Sequence, residues 1–212
     1  MKARVDIHAH NPLKQSLGVV NIRLGIEPTT TAGPFSAGIH PWDAMSCFCH
    51  LDELLNQLHK ECCVAIGEIG LDKACSVPLA LQSEVFVRQL EVAEKRSLPV
   101  IIHCVRAYTE VEQILKGVAL RGVIFHGFIG SSLLCRQLTK QGYYISFGFN
   151  ALRSPKTMEA LRSCPLNRLF LETDTTVKDI NDLYAEVAKL KDIDIEELTE
   201  NIYNNYTKLF SL

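Results

Sequence analysis

Short runs of β-branched and apolar residues alternate along the whole chain with longer stretches of helical periodicity, and this alternation constrains the fold more than any other feature of the sequence. Strands separated by helix-length segments pair in parallel, because the chain must cross back over the sheet before the next strand begins. The class is therefore α/β. The strand segments are Ala3–His8, Val19–Ile26, Phe35–Ile39, Cys63–Ile69, Pro99–His103, Gly122–His126, Tyr143–Phe147 and Arg168–Glu172. The helical segments are Leu51–Lys60, Leu79–Ser97, Tyr108–Lys116, Ser131–Gln141, Pro155–Ser163, Ile180–Lys191 and Ile195–Phe210. Leu79–Ser97 carries the cleanest apolar stripe, made of Leu81, Val85, Phe86, Leu90 and Ala93. This pattern suits a TIM-type (β/α) barrel first and an open doubly wound sheet second. Thr29-Thr30-Thr31-Ala32-Gly33-Pro34 is too short and turn-like to hold a crossover helix. Val19–Ile26 and Phe35–Ile39 are accordingly expected as antiparallel neighbours, distorting the barrel near its second and third strands.

A chain of 212 residues with 47% hydrophobic content can bury one sizeable core. Residues 1–212 are expected to form a single domain. A formal charge of -2 excludes a global positive field toward nucleic acid or acidic membranes, so a polyanionic substrate would have to be held locally. No apolar stretch approaches the length that spans a bilayer, and the N-terminal MKARVDIHAH has no apolar run of signal-peptide length. The expectation is a cytoplasmic protein with no membrane contact and no obligate protein partner. The 8 cysteines are scattered without repeated spacing, as suits reduced thiols. In Cys47-Phe48-Cys49-His50 the one-residue spacing points the two thiols to different faces of a helix, which favours packing over a zinc site.

Metal-capable side chains keep appearing where strands end. In Val5-Asp6-Ile7-His8-Ala9-His10 the period of two places His8 and His10 on one strand face, able to converge on one ion. Val64–Gly70 is an apolar run that ends on Glu68 between glycines, and a carboxylate there would be costly to bury unpaired. Val100-Ile101-Ile102-His103 and Val123-Ile124-Phe125-His126 repeat the design with imidazoles, and Arg168–Asp174 repeats it with carboxylates. A single strand-end histidine is ordinarily a hydrogen-bonded core residue, and a single aspartate a helix cap. Recurrence at five strand ends points instead to a common pocket at one mouth of a barrel. Four imidazoles and two carboxylates exceed what one tetrahedral ion needs and suit two divalent ions. His50 and His59 fall on a helical segment away from strand ends and are left out of the site.

The order DIHAH, AGIHPW, AIGEIGLD, PVIIHC, FHGFIGS and FLETDT, closing with Asn205-Tyr206-Thr207-Lys208-Leu209-Phe210, resembles the TatD-type deoxyribonuclease family of amidohydrolase-like metal-dependent hydrolases. The resemblance runs nearly end to end. It implies that His8, His10 and Asp174 bind one ion, that His103 and His126 bind a second, and that Glu68 bridges them. It also implies a TIM-like barrel and hydrolysis of phosphodiesters, commonly trimming DNA from its 3′ end. The imidazole-rich set suits zinc or manganese, whereas the family's activity is usually described as magnesium-dependent.

Two ions would activate water as the nucleophile, with Asp174 touching metal and water as the proton-transfer residue and Glu68 holding both ions. His40, in Gly38-Ile39-His40-Pro41-Trp42, ends another strand and is a candidate to contact the phosphate or assist the leaving group; the plainer reading is a histidine set by the turn before Pro41. Trp42 and Phe128 are candidates to stack on a base. Arg106 is the first candidate for a phosphate contact, ahead of Lys73, Arg153 and Lys156.

Several positions depart from the family pattern. His103-Cys104-Val105-Arg106-Ala107 has Val105 where the family has Arg, with Arg106 one place later. Gly127-Phe128-Ile129-Gly130 lacks the usual hydroxyl, and Lys73 replaces an aromatic residue. Thr175-Thr176-Val177-Lys178 replaces a Pro- and Arg-rich loop. These changes spare the ligands and fall where DNA would be held. Two alternatives follow: hydrolysis of a small amide, ester or lactone at the same dinuclear site, or a catalytically silent metal-binding protein.

Overall fold

A computed structural model describes residues 2–10, 17–27, 33–57 and 63–210. Eight strands form one sheet in chain order: β1 (Val5–Ala9), β2 (Leu17–Arg23), β3 (Phe35–Gly38), β4 (Cys63–Asp72), β5 (Val100–Val105), β6 (Val123–Phe125), β7 (Tyr144–Phe147) and β8 (Leu169–Leu171). The helices are α1 (Ala44–Cys47), α2 (Leu51–Gln57), α3 (Leu79–Arg96), α4 (Tyr108–Leu115), α5 (Ser132–Lys140), α6 (Pro155–Ser163), α7 (Ile180–Lys191) and α8 (Ile195–Phe210). All eight strands run parallel, and the fold is of the TIM-like barrel class.

The antiparallel pairing expected for β2 and β3 is therefore corrected. Their connection, residues 24–34, is close to the dozen or so residues that a parallel return needs. The turn expected at Thr29–Ala32, the end of the helix expected to reach Lys60, and His59 lie outside the described residues. One helix, α1, was not anticipated. No described helix is long and apolar enough to cross a membrane.

The contacts group the chain into two compact units, residues 1–20 with 124–212 and residues 21–123. In the first, β1 pairs with β2, β6 with β7 and β7 with β8, all in parallel. A bridge from Ala9 to Asp174 joins β1 to the segment after β8. Its core is dense in aromatic residues: Phe125, Phe128, Phe147, Phe170, Tyr184 and Tyr206 are all almost fully buried. Every residue of β1 is buried, as a strand covered on both faces requires.

In the second unit β4 pairs in parallel with β3 and β5. Helix α3 packs on it through Val85, Phe86, Leu90 and Ala93, as its apolar stripe predicts. Leu81 is only half-buried, and the fully buried positions of that face include Gln82 and Gln89 instead. The two glutamines fasten strand ends. Gln89 accepts from the Ile39 amide at 2.6 Å and donates to the Ile39 carbonyl at 3.1 Å. Gln82 does the same for Asp72, accepting at 2.7 Å and donating at 3.0 Å. The seven-residue interval puts both on one helix face, one above the other. They thereby set the position of His40, next to Ile39, and of Asp72.

Candidate metal centre

In the first unit the alternation along β1 puts Asp6 and His8 on one side, continued by His10 just past the strand. His8 is fully buried, with its ring edge-on to His10 at 5.4 Å between centroids. Asp174 meets both from the segment after β8. Its amide donates to the His8 carbonyl and its carbonyl accepts from the His10 amide, each at 3.0 Å. Asp174 holds a left-handed backbone, φ 54°, uncommon for a residue other than glycine and characteristic of constrained sites.

Asp174 Oδ1 lies 3.8 Å from His8 Nε2 and 3.7 Å from His10 Nε2. Those separations are wider than hydrogen bonds and close to ligand spacing: a tetrahedral ion with bonds of about 2.1 Å spaces its donors by roughly 3.4 Å. Donor atoms of the three residues all lie within 4.8 Å of one another. Two imidazoles and a carboxylate are a donor set that a divalent transition ion accepts, so the residues fit the ion that the sequence implies.

His126 lies beside His8, ring centroids 4.3 Å apart. Its Nδ1–H donates to Glu172 Oε1 at 3.3 Å, and the same oxygen accepts from the Gly127 amide at 2.7 Å. Gly127 adopts φ 54°, which glycine tolerates without strain. Glu172 is fully buried. Burial pushes its carboxyl up, but the adjacent His126 and His8 outweigh burial and hold it below the usual carboxylate range. Asp6 behaves oppositely: burial pushes its carboxyl up to about 7, even though Thr173 donates to it twice, from the amide at 3.0 Å and the hydroxyl at 2.7 Å.

In the second unit β4 presents Glu68, buried to 5% exposure. The peptide preceding it, Gly67–Glu68, is cis. Close approach of β4 to β5 depends on glycine: a Cβ at Gly70, where φ is 139°, would stand 2.1 Å from the His103 carbonyl oxygen. His103 lies between two carboxylates, with Nδ1 2.8 Å from Glu68 Oε1 and Nε2 3.1 Å from Asp72 Oδ2. His40 joins from the end of β3, its Nε2 3.3 Å from Glu68 Oε1. Donor atoms of His40, Glu68 and His103 also lie within 4.8 Å of one another. When Nε2 of His103 carries the ring proton toward Asp72, the Nδ1 lone pair faces a carboxylate oxygen, and a cation or a second proton is needed between them.

The side chains around this cluster are fixed in turn. The Trp42 amide donates to His40 Nδ1 at 3.1 Å, and the Trp42 indole donates to Asp72 Oδ2 at 2.7 Å. Asp72 Oδ1 accepts from the Ala74 amide at 2.7 Å. Burial raises the Asp72 carboxyl, but these donors outweigh burial and hold it below the usual range. Burial lowers the His40 imidazole against the opposing pull of Glu68.

The structure thus brings His8, His10 and Asp174 together, with His126 against His8, and brings His40, Glu68 and His103 together. Trp42 stands beside His103, centroids 6.0 Å apart, and is 53% exposed. Arg106 is exposed, with φ 55°. Lys73, a candidate phosphate contact, pairs with Glu110, and Phe128, a candidate to stack on a base, is buried. The described cysteines form no disulfide. Cys47 is buried with its thiol toward the Leu24 carbonyl, whereas Cys49 is exposed. The sequence reading missed three residues, Glu172, Asp72 and Asp6. Each directly follows an apolar strand residue, which marks the position but not its partner.

The family model described as TatD related DNase matches residues 28–211. The chain is 33% identical over 169 residues to the uncharacterized metal-dependent hydrolase YabD of Bacillus subtilis, covering 70% of this chain and 66% of that one. It is 28% identical over 168 residues to human deoxyribonuclease TATDN3, covering 72% and 61%. The chain thus spans about two thirds of the length of these relatives. The crystal structure of YJJV, a TatD homologue from Escherichia coli K12, superposes with a TM-score of 0.84 at 23% identity, covering 99% of this chain and 98% of that one.

Proposed function

Because the chain belongs to the TatD-related DNase family, we propose that it is a metal-dependent phosphodiesterase that trims single-stranded DNA from its 3′ end, with residues 1–212 acting as one hydrolase domain. The observation that carries this reading is the convergence of His8, His10 and Asp174, with Asp174 Oδ1 3.8 Å and 3.7 Å from the two imidazole nitrogens, close to ligand spacing. In this reading they hold one divalent ion, zinc, manganese or magnesium. His103 and His126 contribute to a second, and the order of the motifs supports Glu68 as the shared ligand.

Bound divalent ions supply Lewis acidity and make water a nucleophile near neutral pH. The protein groups have separate tasks. Asp174, with 36% of its side chain exposed, accepts the proton released as water attacks. Glu172 orients the His126 ring, and Asp72 orients both His103 and Trp42. His40 contacts the phosphate or the departing oxygen. The exposed Trp42, anchored through its indole N–H, offers a flat face to a terminal base.

One observation favours a second reading. The short segment after Asp174, Thr175-Thr176-Val177-Lys178, carries a single basic residue, which leaves room for a small ester, amide or lactone attacked by the same water.

The test offers purified protein, with zinc, manganese or magnesium added, 5′-labelled single-stranded DNA and a panel of esters and lactones. A ladder of products shortened at the 3′ end, abolished by chelator, is expected. Turnover of the carbonyl panel alone would replace this reading with the second.

A further inference from the structure

A cleft of about 250 Å³ opens within the first unit, and its lining includes Asp174, Glu172, Phe149, Arg153 and Lys178. It therefore adjoins the His8–His10–Asp174 cluster through Asp174 itself. Its lining combines two cations with an aromatic ring. Lys178 Nζ stands 4.9 Å from the centroid of the Phe149 ring, within cation–π range. Arg153 is exposed and makes no ion pair among the described residues.

Both cations are held on fixed supports. Arg153 ends a 3-10 turn, Phe149–Arg153, and is followed by Ser154, which caps α6 by accepting from the Thr157 amide. Lys178 precedes Asp179, which caps α7 by accepting from the Asn181 amide at 2.8 Å. Gly148, just before Phe149, lies beside the Glu172 backbone, where an added Cβ would stand 3.4 Å from the carbonyl oxygen, an ordinary contact.

We propose that this cleft is a nucleotide subsite: Arg153 and Lys178 grip the phosphate next to the scissile bond, and Phe149 supports the sugar and base attached to it. The proposal rests on the nuclease reading above. It also accounts for substrate holding where the sequence lacks a basic loop after Asp174. One lysine from that short loop and one arginine from the turn after β7 supply the charge instead.

The test uses metal-loaded protein and a fluorescein-labelled deoxythymidine hexamer with uncleavable phosphorothioate linkages, titrated by anisotropy from 50 to 200 mM KCl. Arg153→Ala combined with Lys178→Ala is expected to weaken binding at least about tenfold. Each phosphate neutralised on a single strand contributes about 0.7 to the slope of log affinity against log salt, so the double variant, which frees this one phosphate, loses about 0.7. Lys178→Arg retains the slope. Phe149→Leu weakens binding at unchanged slope, as loss of stacking rather than of charge requires. Lys140→Ala, an exposed lysine outside the cleft, changes neither quantity. Wild-type cleavage of ordinary single-stranded DNA is measured alongside. If it cleaves DNA but the double variant keeps its slope and affinity, the subsite is overturned while the nuclease reading stands. If it cleaves only carbonyl substrates, both fall.

Discussion

Glu172 accepts from His126 Nδ1–H at 3.3 Å through the oxygen that also takes the Gly127 amide, so one buried carboxylate sets both the tautomer and the tilt of that imidazole. With Nδ1 protonated, Nε2 is the ring atom left to ligate a cation. Carboxylates behind ligating histidines typically account for 10–100-fold in metal affinity. Glu172→Gln is thus expected to weaken zinc or manganese binding by about that factor, measured by competition with a chromophoric chelator. Unchanged affinity in a folded variant would remove Glu172 from the site.

Asp72 plays the matching part for His103 while anchoring Trp42. The chain has 1 Trp, so its fluorescence reports on this cluster alone. In Asp72→Ala the indole loses its acceptor, and steady-state anisotropy should fall. In the wild type, added metal should shift the emission through His103. Emission and anisotropy insensitive to both changes would contradict the arrangement.

Gln89 leaves two backbone groups of Ile39 without partners when it is replaced by leucine. A buried unsatisfied group costs roughly 1–3 kcal/mol, so Gln89→Leu, which leaves two, should destabilise the fold by about 2–6 kcal/mol. At about 2–4 °C per kcal/mol for a chain of this size, the melting temperature should drop by roughly 4–24 °C. Activity of the residual folded protein should also fall, because His40 follows Ile39 directly. A melting temperature within a degree of wild type would show that the glutamine clamp contributes little.

At Gly70 an added methyl collides with backbone, the His103 carbonyl, rather than with a movable side chain. Gly70→Ala should cost about 1–3 kcal/mol from the left-handed strain alone, with more from the collision. Differential scanning calorimetry gives the cost. Gly142, where nothing lies within 4 Å of an added Cβ, is the comparison: Gly142→Ala carries φ strain only and should cost less.

Metal removal gives the most direct readout. An ion present at 100 times its dissociation constant stabilises the fold by about 2.7 kcal/mol, so chelator should lower the melting temperature by several degrees. His8→Ala should remove most of that difference, since it takes one of three converging donors. A melting temperature indifferent to chelator in the wild type would argue against tight ion binding.

The α/β class and seven of the helices, along with strand segments near all eight observed strands, were written in the local pattern, because hydrophobic periodicity and capping act over a few residues. Six metal-capable residues were legible for the same reason: a histidine or carboxylate closing an apolar strand is locally anomalous wherever it occurs. The sequence could not say that β2 and β3 run parallel, since chain direction across a connection is decided by what each strand can pair with. Nor could it assign Glu172, Asp72, Gln82 and Gln89. Their local settings look like a strand end, a turn and a helix stripe, and their roles arise from contacts with His126, Trp42 and His103, and the ends of other strands. Arg106 stands near a motif in the sequence, but its left-handed backbone and its exposure are set by the fold. Residue type and periodicity are properties of the chain, but convergence on an ion requires distances between segments far apart in sequence, and only tertiary packing sets those.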